Sequence, residues 1–164
     1  MNTSSKSPLH IRKAKISDLP IIKECLIDSW VEHAQNEPGL LDEQRMREVD
    51  VEGYYKEAFD SDKTVVFVAE IEGKFAGVQR ADIQEIPHFY KDNKIFYLDD
   101  AYVVREYRGR GIVRKLIKEV EKVAKERGIK RIQARVYTYN KPMQRALEKL
   151  GYHIPHSTWD KLLK

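Results

Sequence analysis

The sequence predicts a mixed α/β domain in which a partly antiparallel central sheet is flanked by helices. Three features point to it. Strand-like runs over 64–71, 75–83 and 95–104 follow one another closely, and the first pair is joined by the hairpin turn Glu72-Gly73-Lys74. Apolar residues recur at helical spacing in Ile21, Ile22, Cys25, Leu26 and Trp30, and again in Ile112, Leu116, Val120, Val123 and Ala124. The last of the three strands runs straight into a Gly-rich turn that opens the second helical stretch.

The elements follow in order. Residues 1–8 are small and polar with one Pro and read as a flexible tail, which leaves 9–164 as a single domain. Ile11 to Ala14 alternates weakly and suits a short strand. Ser17 or Asp18 caps a helix from about Leu19 to His33, which Asn36-Glu37-Pro38-Gly39 breaks. A second helix over 42–59 carries Met46, Val49, Tyr54, Tyr55 and Phe59. The hairpin strands come next, then a loop over 86–93 and the third strand. The helix after the Gly turn ends near Arg127, with Gly128 as its C′ residue. A strand over 129–136 and a short helix over 141–150 follow, with Pro142 tolerated in the first turn. Gly151 ends that helix, and 153–163 returns as one or two strands, giving β-α-α-β-β-β-α-β-α-β.

Composition bounds the function. With 164 residues, 41% apolar and 34% charged, the chain has the make-up of one globular domain with a real core. No apolar run approaches a membrane span, and residues 1–9 lack a signal-peptide core. Cys25 is the single cysteine, which excludes an internal disulfide and suits a reducing compartment, so cytoplasm is the expected location. No ligand spacing suggests a metal. The net charge of +4 hides a split: residues 105–149 hold 15 basic and 5 acidic side chains, whereas 16–104 hold 9 basic and 20 acidic. A basic half beside an acidic half suits a polyanionic cofactor and a cationic acceptor in one cleft.

Arg108-Gly109-Arg110-Gly111-Ile112 is the segment that carries chemistry. Two glycines let the backbone approach a bulky anion, and the helix start offers unpaired N–H groups and a positive dipole end. Arg108, Arg110, Arg114 and Lys115 add charge around the same spot. A P-loop would need Gly-x-x-x-x-Gly-Lys-Ser/Thr, which is absent. A dinucleotide fingerprint would need a third Gly where Arg114 stands, and would belong to the first βα unit of its fold.

The stretch from Val103 to Val113 resembles the acetyl-CoA motif of the GNAT superfamily of N-acetyltransferases, Arg/Gln-x-x-Gly-x-Gly/Ala after a strand. Arg108, Gly111 and Val113 fall on its key positions. Asn140 after the next strand, the ending Lys149-Leu150-Gly151-Tyr152 and the element order extend the likeness from Ile11 to the C-terminus. The resemblance implies acetyl-CoA as cosubstrate. Amides of Arg108, Gly109, Arg110, Gly111, Ile112, Val113 and Arg114 would take the pyrophosphate. The pantetheine arm would lie along Tyr102, Val103 and Val104, with Asn140 opposite; Asn140 is also a natural N-cap. Two residues depart from the pattern. Val113 puts a β-branched side chain beside the phosphates, and Leu147 stands where many members carry the Tyr that protonates the leaving thiolate.

Acetyl transfer to an amine requires removal of an ammonium proton. Asp99 and Tyr97 occupy strand positions where some members place catalytic groups. Asp99 is the first candidate base and Asp100 the second, and an acceptor-binding or Arg-pairing Asp is an equal reading. Strand alternation puts Tyr97 and Asp99 on one face and Asp100 on the other, unless a bulge intervenes. Tyr139, and Tyr137 beside it, are candidate acids. Acceptor contacts are expected from Trp30, His33, Glu37, Tyr54 and Tyr55, from Glu85, His88, Phe89 and Tyr90, and from Tyr97 on the strand. The expected activity is direct transfer, in a ternary complex, to a primary amine, with a small cationic amine favoured by the acidic half. Peptide N-terminal or lysine acetylation is the runner-up, and a non-catalytic acetyl-CoA-binding protein the third reading. The absence of a helix-turn-helix, zinc or RNA-binding signature argues against a nucleic-acid partner, and no membrane partner is expected. A homodimer is an expectation from the resemblance alone.

Overall fold

The structure, a computed structural model, describes residues 8–163. Seven of the eight residues read as a tail therefore lie outside the described residues, and Pro8 is exposed. Strands β1 (Leu9–Lys13), β2 (Thr64–Ile71), β3 (Lys74–Glu85), β4 (Lys94–Val103) and β5 (Ile132–Ala134) form one sheet in the order β1-β2-β3-β4-β5. The first four strands are antiparallel, and β5 lies parallel to β4. Helices α1 (Leu19–Asn36), α2 (Glu43–Arg47) and α3 (Val51–Asp60) precede β2; α4 (Ile112–Glu126) and α5 (Lys141–Glu148) flank β5 in sequence.

The period-2 geometry of β2 explains the layers. Val65, Phe67, Ala69 and Ile71 pack with Phe96, Leu98 and the α4 residues Ile112, Leu116, Ile117 and Val120. Val66 and Val68 pack on the other face with Val78, Tyr102, the α1 residues Ile22 and Leu26, and the α3 residues Val51 and Tyr55. The sheet is thus covered on both sides, and each large side chain taken from water contributes about 1.5–3 kcal/mol. Among the charged groups, Arg12 bonds Asp18 and Glu70 at 2.7 and 2.6 Å, tying β1 to β2 and to the start of α1.

Several expectations are corrected. Asp18 spends its carboxylate on Arg12 and the Lys15 N–H rather than on the first turn of α1. The helix expected over 42–59 is two, because Asp42 caps α2 through the Arg45 N–H and Asp50 caps α3 through the Gly53 N–H. β5 is shorter than the expected 129–136, since the chain leaves the sheet after Ala134. Residues 153–163 form no strand. Their apolar side chains stand in solvent, Ile154 at 82% and Trp159 at 93% exposure, and Pro155 lacks an N–H for any ladder.

Candidate active site

The Gly turn is built from the backbone outward. A 3₁₀ turn at Arg105–Tyr107 leads from β4 to Gly109 and Gly111, which take φ of +78° and +76°. That left-handed conformation suits glycine and is strained for other residues. Gly111 is the N-cap of α4, so the amides that follow point out of the helix start. A Cβ at Gly109 would meet nothing within 4 Å, which leaves open space over the turn for a bulky anion. Val113 does not crowd it: its side chain packs against the core of the α4 face. Arg108 donates from Nε to the Val103 carbonyl at 3.0 Å and pairs with Glu32 of α1 at 3.3 Å. Arg110 donates to the Glu106 carbonyl at 3.3 Å. Cationic side chains and helix-start amides share one surface there, the combination a diphosphate needs.

β4 and β5 pair only over Phe96–Leu98 and Ile132–Ala134. Beyond Leu98 the strands part, so residues 99–103 present a backbone edge on that side, where a peptide-like arm finds donors and acceptors. Gly77 of β3 explains how β4 is held there. A Cβ at that position would stand 2.7 Å from the Tyr102 carbonyl, so only glycine permits this close approach. Asn140 caps α5, its side chain accepting the Met143 N–H at 3.2 Å. Between α1 and the end of β4 lies a cavity of about 410 Å³ lined by Asp28, Val31, Glu32, Gln35, Tyr102, Val104 and Arg105.

The carboxylates sit at a bulge. Gln79 faces Ala101 and Ala81 faces Leu98, so Asp99 and Asp100 together oppose Arg80. The bulge cancels the alternation expected for this strand. Leu98 packs on the α4 face, yet Asp99 and Asp100 both reach the α1/α3 side. Asp99 is exposed and accepts a hydrogen bond from the Tyr54 hydroxyl. Asp100 is 9% exposed and accepts from Trp30 Nε1 at 3.0 Å and from the Tyr55 hydroxyl at 3.2 Å. Burial, with Asp99 alongside, pushes its carboxyl up to about 6.

Across the gap, the Tyr139 hydroxyl bonds His33 Nδ1, and Tyr137 lies against the same ring at 4.8 Å. Desolvation pushes the Tyr139 hydroxyl up to about 12 and draws His33 below its usual range. Tyr97 is half-buried, and its hydroxyl is raised by burial. Leu147 packs against the core.

The structure therefore gathers Trp30, His33, Tyr54, Tyr55, Asp99, Asp100, Tyr137 and Tyr139 around β4, with Tyr97 two residues before the bulge. Glu85 is not among them. It lines a separate cavity of about 560 Å³ with Asp62, Lys63, Ile83, Lys94, Arg127 and Ile129, at the opposite end of β4 from the Gly turn. In the loop after β3, Phe89 meets His88 edge-on and Tyr90 at a tilt, and it is 75% exposed. Arg80, Gln79 and Gly77 escaped the sequence reading. A charged residue within an apolar strand run was the available signal for Arg80.

Comparison with known proteins agrees with this geometry. Residues 27–152 match the family model of the acetyltransferase (GNAT) family. An uncharacterized N-acetyltransferase of Archaeoglobus fulgidus is 31% identical over 122 residues, covering 74% of this chain and 78% of that protein. The thialysine N-ε-acetyltransferase of Bos taurus is 42% identical over 55 residues, about a third of each chain at 34% and 32%. The aminoglycoside acetyltransferase AAC(6')-Iy, in complex with a CoA bisubstrate analogue, superposes with a TM-score of 0.72 at 18% identity, covering 96% and 99% of the two chains. A Gly turn opening α4, strands that part beside it and a matching family model over most of the chain lead to one conclusion: this protein belongs to the GNAT family and is an acyltransferase.

Proposed function

We propose that this enzyme moves the acetyl group of acetyl-CoA directly to the primary amine of a small cationic acceptor within a ternary complex. The observation that carries the reading is the β4 bulge, which turns two carboxylates of different exposure toward the same side, beside the parted strands. Acetyl-CoA supplies a thioester carbonyl when bound. Positive-φ glycines, the α4 start and the 99–103 edge fit such a cosubstrate. The amides from Arg108 to Arg114 hold its diphosphate, while Tyr102, Val103, Val104 and Asn140 hold its arm.

Asp99, exposed and steadied by Tyr54, binds the acceptor ammonium. Asp100 takes the ammonium proton, and its raised carboxyl suits that exchange near neutral pH. The freed amine nitrogen forms a bond to the carbonyl carbon, the carbon–sulfur bond breaks, and the thiolate takes a proton from Tyr139 or from water. Trp30, His33 and Tyr97 line the acceptor's approach. The acidic balance of residues 16–104 supports a cationic acceptor. So do the activities of two similar proteins, which act on thialysine and on aminoglycosides. The lone buried Cys25 supports a cytoplasmic setting, and the exposed apolar side chains after Gly151 support a homodimer.

A screen of polyamines, aminoglycosides, free lysine and lysine peptides for CoA release at saturating acetyl-CoA tests the proposal. Small polyamines or aminoglycosides are expected to lead. Turnover with peptides alone overturns the acceptor class, and thermal stabilisation by acetyl-CoA without release for any amine overturns the enzyme reading for this site.

A further inference from the structure

Arg80 is 7% exposed in the middle of β3, and its partner does not explain its presence. It makes a bidentate pair with Asp82 at 2.9 and 3.1 Å, and Asp82 also accepts from Thr64 Oγ1 at 2.6 Å. Asp82 lies only two residues along the same strand, and Arg80 Nη1 also donates to the Tyr54 carbonyl of α3 at 3.4 Å. A buried ion pair is by itself weak evidence for stability. What Arg80 touches beyond Asp82 is informative. Its Cζ lies 3.6 Å from the centre of the Tyr54 ring and 5.3 Å from that of Tyr55. Those hydroxyls donate to Asp99 and Asp100 respectively. Arg80 is also the residue that the β4 bulge faces, two carboxylates opposite one cation. Gln79 Nε2 fixes that register by donating to the Arg80 carbonyl at 2.7 Å and the Asp100 carbonyl at 3.2 Å.

We propose that Arg80 is a positioning residue for acetyl transfer: clamped by Asp82 and laid under the Tyr54 and Tyr55 rings, it holds both hydroxyls on their carboxylates and makes the two carboxylates unequal. This rests on the reading of Asp100 as the proton acceptor. A guanidinium suits the task because it stacks on a ring face while bonding a carboxylate edge-on, which a lysine ammonium does not. The groups facing Asp100 are Asp99 on β4, Tyr54 and Tyr55 on α3, Arg80 on β3 and the Trp30 indole on α1. Arg80 favours ionised Asp100, whereas burial and Asp99 oppose it. Asp82 offsets part of the Arg80 charge. Neutralising one end of this pair or the other is therefore expected to move Asp100 in opposite directions.

Carbon-13 carboxyl NMR of aspartate-labelled protein tests this without a substrate, with the Asp100 signal assigned by its loss in Asp100→Asn. Arg80→Gln should raise the Asp100 midpoint by roughly half a pH unit or more, and Asp82→Asn should lower it. Arg80→Lys should keep the midpoint closer to that of the parent while raising the KM for the amine, as the stacked platform under Tyr54 is lost. The acidic limb of kcat should move with the midpoint. If Arg80→Gln does not fold, the sign of the Asp82→Asn shift and the Arg80→Lys kinetics decide. An Asp100 midpoint unmoved, or moved the same way by both neutral variants, overturns the assignment. An Asp100→Asn enzyme with full turnover would instead remove the proton-acceptor reading, while the opposite midpoint shifts could still be seen.

Discussion

Asp100 sits almost wholly out of water with two donors and a neighbouring carboxylate. Its carboxyl is raised from 3.8 to about 6, so the folded protein binds its proton more tightly than the unfolded chain does. The stabilising effect of that proton is complete below about pH 4 and is lost as pH rises through 6. Asp100→Asn should therefore stabilise the protein above pH 7, by about 1–3 kcal/mol, and give no gain near pH 4. Thermal melts at the two pH values check this, and amine turnover should fall in the same variant. Gly109 shows a different balance. Its φ of +78° makes Gly109→Ala cost about 1 kcal/mol of stability, although open space surrounds the new methyl. Acetyl-CoA affinity should drop by about tenfold or more, because that space is where the diphosphate would lie. Calorimetry of the variant separates the two effects, and unchanged affinity would argue against this turn as the phosphate seat.

At the scale of elements, β4 joins the sheet to the site, and three local devices set its course. Gly77 lets β3 approach closely, the bulge swings two carboxylates to one side, and the ladder to β5 stops after Leu98. α5 meets the same gap through Asn140, which has two separable roles. Asn140→Ala should cost about 1 kcal/mol through loss of the cap. Asn140→Ser should restore the melting temperature and still leave acetyl-CoA binding weakened, as titration calorimetry would show. Sequence periodicity revealed α1, α4 and the β2 and β3 strands, because burial on one face writes itself into residue spacing, and the glycines themselves marked the turns. The bulge did not show, because a single extra residue depends on the register of two strands far apart in sequence. Asp50 hid the break between α2 and α3 for a related reason: an aspartate caps a helix or sits within one according to which backbone N–H it finds. The grouping of Trp30, Tyr55 and Asp100 is tertiary, and loop membership alone carried the expectation that Glu85 meets the acceptor, whereas it lines a cavity at the far end of β4.

Over the whole molecule, charge follows architecture. Acidic residues outnumber basic ones from residue 16 through β4, and basic residues outnumber acidic ones from the Gly turn through α5. Among the described residues no helix is long and apolar enough to cross a membrane. The segment after Tyr152 leaves Ile154, Trp159, Leu162 and Leu163 at 77–93% exposure. Light scattering should give the mass of two chains, and ending the chain after Tyr152 should give one. A monomer in both cases would leave these side chains without a partner copy.

The half-open edge of β4 has a cost of its own. Exposed backbone donors and acceptors invite strands from other molecules. Arg108 already covers the Val103 carbonyl and pairs with Glu32 of α1. The guanidinium proposed to meet a diphosphate thus also occupies a carbonyl on the open border of β4, so replacing Arg108 would bare that border as well as weaken ligand capture.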